Sequence, residues 1–291
     1  MKNKTAANNV IVKSIKKYFM IFLLPTLLAF IIGFIIPFFY GIYLSFFKFR
    51  VINNLTFNGL NNYLVAFKDE TFIDSFSFTF AFAMVSLLVI NIIAFLLAYA
   101  LTSGIKGSTI FRTIFFMPNL VGGIVLGYIF KYLLNEVIYL LFDSQLLLEA
   151  KYGFWGLIIL VCWQQIGYMM IIYIAGLQNV SNDYLEAAKI DGASNMQILA
   201  KIIIPSIMPS ITICTFLTLT NSFKLFDQNL ALTAGQPFKS TEMMALNIYN
   251  SFYQSTTNMG IGQAKAVIFF VIVTTISLLQ LYLTKKGDYQ Q

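Results

Sequence analysis

Apolar residues run along the chain in six blocks, at 18–46, 76–101, 111–134, 154–177, 205–225 and 264–284, parted by short polar stretches. A block of about 20 apolar residues crosses the roughly 30 Å hydrocarbon core of a bilayer as a helix. The pattern therefore predicts an all-α polytopic membrane protein with six transmembrane helices. Pro25 and Pro37 lie in the long first block and predict a tilt, a kink or an extension past the bilayer there. The organisation reads as a basic N-terminus (1–17), a first membrane helix (18–47) and a five-helix core (76–284). Within that core lies one long polar loop (178–204), and a short C-terminus follows (285–291). No small-residue cleavage site follows the first block, so it reads as a retained helix. The other loops, 48–75, 135–153 and 226–265, are too short to be domains.

Composition narrows this reading. The chain has 291 residues, 58% hydrophobic and only 11% charged, with a mean hydropathy of +0.77. A water-soluble chain carries roughly a quarter charged residues. Basic residues flanking membrane spans concentrate on the cytoplasmic side. With the N-terminus inside, the inner segments hold eleven basic residues against four acids, and the outer segments eight against eight. The whole net charge of +7 then lies on one face, which supports an N-in, C-in topology. This charge is spread over short loops instead of clustered on a domain, so no nucleic-acid partner is expected. The chain has no histidine, and its two cysteines, Cys162 and Cys214, sit inside apolar blocks. They read as small packing residues, and no metal site is expected.

The loop at 178–204 carries helix signals of its own. Ser181 is placed to cap a helix, and Asp183 and Glu186 fall in its first turns, where carboxylates favour the positive end of the dipole. Gly192 is placed to end that helix in the left-handed conformation. Ser194 and Gln197 form an S-x-x-Q capping box that opens a second helix. On it, spacing puts Met196, Leu199 and Ile203 on one face. Pro205 falls in the first turn of the next span. The loop thus predicts a helix–turn–helix lying along the membrane surface. Ala187 and Ala188 leave it slim enough for a partner's groove, with Leu185 and Ala188 as its apolar contact. An amphipathic helix resting on lipid would carry lysines and bulky apolar residues; this one carries acids and alanines.

Glu186, Ala187, Ala188, Gly192, Ile202 and Pro205 match every fixed position of the EAA loop of bacterial ABC importer permeases, and the chain resembles that family over most of its length. Phe57, Gly59, Leu60, Asn62 and Tyr63 resemble the F-x-G-L-x-N-Y element of the sugar-transporting branch. Arg112 to Pro118, Phe226 with Asp227, Leu232 with Thr233, Ser240 with Thr241, and Gly260 to Ala266 are similar to further elements of that branch. One departure is Ala234-Gly235-Gln236-Pro237, where many relatives have Gly-Gly-Pro. The resemblance implies that Glu186, Ala187, Ala188, Asp191, Gly192, Ile202 and Pro205 couple the chain to an ATPase. It also implies a second homologous permease, a dimer of ATP-binding subunits and an extracellular solute-binding protein as partners, in a bacterial cell membrane.

No G-x-x-x-x-G-K-[ST] phosphate loop exists in the chain. Residues 104–109 only echo one and read as a tight inner turn. ATP and Mg are therefore expected to be used by the partner ATPase, with no cofactor bound here and no enzymatic role. Charged side chains are nearly absent from the spans, where burial costs at least about 2.5 kcal/mol. That disfavours an ion-coupled carrier and suits a neutral, polyhydroxylated substrate. Candidate pathway residues are Gln164, Gln165, Tyr168, Thr220, Asn221 and Ser222, with Asn91, Asn119 and Thr218 behind them. For a single such residue the simpler reading is an interhelical hydrogen bond worth about 0.6 kcal/mol. Lys224 and Asp227 are spaced to pair, and Gly123 and Gly127 to pack one helix on another. The expected function is a permease subunit of an ATP-driven sugar or polyol importer. The rivals are a permease for amino acids or peptides, and a stand-alone secondary carrier.

Overall fold

The computed structural model describes residues 18–19, 21–51, 54–253 and 258–288. The expected basic segment 1–17 and the end of the C-terminus lie outside them. Among the described residues, five helices are long and apolar enough to cross a membrane: α1 (Ile21–Leu44), and those defined below as α3, α5, α6 and α12. A bent pair supplies the sixth span.

In α1, Pro37 cannot donate to the carbonyl four residues back. The chain answers with a π-helical stretch, Ile31–Ile35, in which Ile36 N–H bonds back to Ile31 O. After α1 come a two-residue antiparallel ladder, β1 (Phe47–Lys48) with β2 (Thr56–Phe57), and α2 (Asn61–Lys68). The F-x-G-L-x-N-Y element is the staple of this end. Gly59 takes φ +55°, and Tyr63 OH shares a 2.6 Å hydrogen bond with Ser45 Oγ. The buried Asn62 amide donates to Ser45 O and Phe47 O, at 2.8 and 2.9 Å. It accepts from Asn258 at 2.9 Å, which ties the first loop to the last span. The approach is close: a Cβ on Gly260 would stand 2.0 Å from Phe47 O.

The second span, α3 (Glu70–Thr102), begins six residues before the expected start because Asp69 caps it, accepting from Thr71 N–H. The third span is not one helix from 111 to 134. It comprises α4 (Ser108–Phe116), a 3-10 turn at Met117–Leu120 and α5 (Gly123–Phe142), because Pro118 interrupts the ladder. The fourth, α6 (Ala150–Gln178), is central, with 67% of its apolar window buried. Leu157, Leu160, Met169 and Met170 on it join Phe82 and Ile90 of α3 in the main core. Gly167 lets α4 touch it: a Cβ there would meet Phe115 O at 1.8 Å. Cys162 and Cys214 are buried and unpaired by disulfide, packing as expected.

After α7 (Asn182–Ile190) the fifth span is broken. Its parts are α8 (Asn195–Ser206) and α9 (Met208–Phe223), bent by 70°. Pro205 and Pro209 each fall in the first turn of a helical piece flanking that bend. Two short helices, α10 (Asp227–Leu232) and α11 (Met244–Tyr253), precede the sixth span, α12 (Met259–Asp288). Alternation of six spans puts α7 and α8 at the end rich in basic loops. The β-ladder, α2, α10 and α11 lie at the opposite, outer end.

Candidate functional site

At the basic end, local chemistry shapes the loop as read from sequence. Ser181 Oγ accepts from Asp183 N–H at 3.3 Å and starts α7. Gly192 stops it at φ +78°. Ala193 N–H bonds Ala188 O at 2.9 Å and Gly192 N–H bonds Lys189 O at 3.1 Å, a Schellman closure. Ser194 and Gln197 form the reciprocal capping box of α8. Glu186, Ala187, Asp191 and Gly192 are exposed, whereas Ala188, Ile202 and Pro205 are half-buried.

Two facial assignments need correcting. Leu185 and Ala188 turn partly inward, and the exposed apolar residues of α7 are Tyr184 (68%) and Ile190 (85%) on either side of Ala187. On α8, Met196 is 72% exposed, and the buried residues are Ile198, Ile203 and, at the bend, Ile207. The cause is a π-helical stretch, Leu199–Ile203. Its hydrogen bonds run from residue i to i+5, which adds a residue to that turn and rotates everything before it away from the predicted face.

Deeper in the molecule, Gln164, Gln165, Tyr168 and Asn221 meet around one cavity of 470 Å³, with Asn119 beside them. Gln164 donates to Val121 O at 3.1 Å, where the third span breaks, and accepts from Gln228 at 2.7 Å. Gln165 Oε1 is buried with no hydrogen-bond partner among the described residues. Such a buried acceptor is expensive to leave unmet.

Thr220 and Ser222 do not join this group. Thr220 donates back to Phe216 O and Leu217 O on its own helix, and Ser222 is buried away from the cavity. Three consecutive helical residues point about 100° apart, so only Asn221 reaches the opening. Asn91 instead bridges three spans, donating to Thr218 at 3.2 Å and accepting from Tyr173 at 2.8 Å. Lys224 and Asp227 line the cavity without pairing, since the ion pairs among the described residues lie elsewhere. Gly123 and Gly127 do pack a helix, but it is the short α10: a Cβ on Gly127 would meet Ala231 Cβ at 2.5 Å. That contact sets α10 as a wall of the cavity, and Gln228 on α10 is a lining residue that the spans alone did not indicate.

A second polar centre, at the outer end, escaped the sequence reading. Lys265 is 3% exposed and pairs with Asp69 at 2.6 Å. It also donates to Asn247 and Ser251, each at 2.9 Å. Asn247 donates in turn to the buried Glu242 at 2.9 Å, and Asn250 donates to its other oxygen. Burial pushes the Asp69 carboxyl up, but hydrogen bonds from Lys265 and Thr71, with the lysine charge, outweigh it. The carboxyl is held below its ordinary value of 3.8. This network walls a cavity of 650 Å³ whose rim carries Lys68 and Lys239.

Known proteins bear on this architecture. A probable starch degradation products transport system permease protein, AmyD of Thermoanaerobacterium thermosulfurigenes, is 42% identical over 280 residues, covering 94% of this chain and 96% of the relative. The multiple sugar-binding transport system permease protein MsmF of Streptococcus mutans is 31% identical over 256 residues, covering 84% and 88%. The fold is similar to that of a bacterial alginate ABC transporter crystallised in complex with an alginate pentasaccharide-bound periplasmic protein. That likeness has a TM-score of 0.79 at 21% identity and covers 95% of this chain and 97% of that one. Residues 106–287, well over half the chain, match one family model, and this chain belongs to the family it describes, the binding-protein-dependent transport system inner membrane components.

Proposed function

We propose that this chain is the permease subunit of an ATP-driven importer that moves a sugar or polyol across a bacterial cell membrane. The observation that carries the substrate class is the 470 Å³ cavity, where Asn119, Gln164, Gln165, Tyr168 and Asn221 converge. Amide, phenol and aromatic groups suit hydroxyls, and sugar transport is what AmyD and MsmF are named for. The partners in this reading are a second homologous permease, a dimer of ATP-binding subunits and an extracellular solute-binding protein. ATP and Mg belong to the ATP-binding subunits, and this chain binds no cofactor. Closure of those subunits pushes α7 through Glu186, Ala187, Ala188 and Asp191, with Gly192 ending the lever and Ile202 and Pro205 seating it on the bent fifth span. The spans then alternate between inward- and outward-open states.

The test is ATP-dependent uptake of starch-derived oligosaccharides by the reconstituted complex. Glu186→Lys, on an exposed position, should leave the complex assembled and folded while uptake falls more than about tenfold. Gln165→Leu removes an unpartnered acceptor, so stability should hold while KM for the sugar rises. Sugar uptake by this chain without an ATPase, or unchanged uptake in Glu186→Lys, would sink the reading.

A further inference from the structure

The polar centre at the outer end takes no part in the coupling loop or the pathway cavity, and its buried members are spent on one another. Lys265 directs three hydrogen bonds, to Asp69, Asn247 and Ser251, and an ammonium has three protons to give. Asn247 and Asn250 donate to the two oxygens of Glu242. The network thus stands without a ligand and makes a fixed floor for the 650 Å³ cavity. Two further lining residues, Lys68 and Lys239, are exposed and in no ion pair among the described residues. Three lysine charges, set against Asp69 and the Glu242 behind the asparagines, leave the site at +1. The nearby acids Glu70 and Asp74 of α3 line none of it.

Charge alone admits many anions, and the surface below the cavity is more selective. Asp69 caps α3 about two turns before the apolar block that opens at Phe76, which puts the cavity at the level of the outer headgroups. One turn in from Asp69 begins a stripe of exposed apolar residues: Ile73, Phe80, Met84 and Leu88, each between 39% and 59% exposed. Their spacings of seven, four and four place them on one face of α3. Ser77 lies in the same stripe, but its hydroxyl turns back to Ile73 O at 3.2 Å and does not break it. The stripe is about 22 Å long, more than the roughly 15 Å depth of one apolar leaflet. Val65 and Ile261 add apolar wall to the cavity itself. What answers both features is a molecule with an anionic, oxygen-rich head and an apolar tail. A free sugar is a poor match, since no aromatic ring lines the cavity among the described residues.

We propose that this cavity holds the phosphate headgroup of an anionic phospholipid of the outer leaflet, with an acyl chain lying along the α3 stripe. Lys68 and Lys239 pair with the headgroup oxygens, as lysines near the ends of membrane spans commonly do. Lys265 and Asp69 set the floor beneath it. The site depends on the chain spanning a membrane and not on which solute is carried.

The experiment uses the full chain, in its purified complex, in nanodiscs of phosphatidylcholine with a minority of phosphatidylglycerol. Native mass spectrometry of the released complex counts the phosphatidylglycerol it retains. Lys68→Gln and Lys239→Gln should each lower that retention about fivefold, and Lys68→Arg should preserve it. Both glutamine variants change exposed positions, so their melting temperatures in pure phosphatidylcholine should match wild type. Ile73→Asp, on the stripe, should lower retention as well. Inorganic phosphate, added to nanodiscs of phosphatidylcholine alone, should leave the melting temperature unchanged. Retention by both glutamine variants within twofold of wild type would overturn the site. Stabilisation by inorganic phosphate that needs both lysines, with no phosphatidylglycerol retained, would make the ligand a soluble anion and overturn the lipid assignment. A photo-crosslinking side chain placed at Ile73 that captures the second permease instead of lipid would overturn it too.

Discussion

A lysine ammonium that is 3% exposed must be matched, and Asp69 does so for Lys265 at 2.6 Å. Removing one partner leaves the other stranded, but the two removals differ. Asp69→Asn leaves a buried, uncompensated cation, whereas Lys265→Met leaves a carboxylate whose side chain is 28% exposed and can be hydrated. The first should lower the stability of the purified complex by about 2 kcal/mol, below the roughly 3–5 kcal/mol seen for fully buried pairs, and the second by less. Thermal unfolding in detergent checks the order. The pH dependence has a definite sign: a depressed carboxyl contributes in full above its ordinary value of 3.8 and loses the contribution as pH falls through the lower folded value. Melting temperatures of wild type and Asp69→Asn should therefore keep a constant gap from about pH 5 to 8 and converge only in stronger acid.

At the scale of elements, helix ends were set by neighbours a few residues away, and helix faces were not. Ser181, Gly192 and the Ser194–Gln197 pair act within one turn, so their roles could be read directly from spacing. The π-helical turns at Ile31–Ile35 and Leu199–Ile203 shift the phase of all that precedes them. A strict 3.6-residue count therefore misassigned Met196. On α7, a separate helix, the exposed large apolar residues are Tyr184 and Ile190, with Ala187 between them. Ile190→Asp, at a position 85% exposed, should leave folding within about 0.5 kcal/mol of wild type. Pull-down of the ATP-binding subunit through this chain should nonetheless weaken several-fold. Equal recovery of that subunit would place the contact elsewhere on the loop.

For the whole molecule, the distribution of buried surface shows what the fold leaves to others. α6 is wrapped by its neighbours, but none of the apolar window of α1 is buried, and only 17% of that of α5 is. Leu140, Tyr132 and Leu141 of α5 are 78%, 73% and 69% exposed. Surfaces of this kind face lipid or a second subunit. Co-purification with the second permease should raise the melting temperature of this chain above that of the chain alone, since binding to the folded state stabilises it by mass action. Identical melting curves would mean that these faces meet only lipid.

The sequence by itself determined the apolar spans, the helix caps of the 178–204 segment and the family, because each depends on composition, periodicity or contacts within about one helical turn. The tertiary structure alone decided which polar side chains gather. Gln164, Gln165 and Asn221 share a cavity while Thr220 and Ser222 turn away, and that choice follows from the rotation of each helix about its axis. Asp69 finds Lys265, and Asn62 finds Asn258, across separations of 196 residues each. No local pattern announces such pairs, because the reason for them is the desolvation of a group that only the folded chain buries.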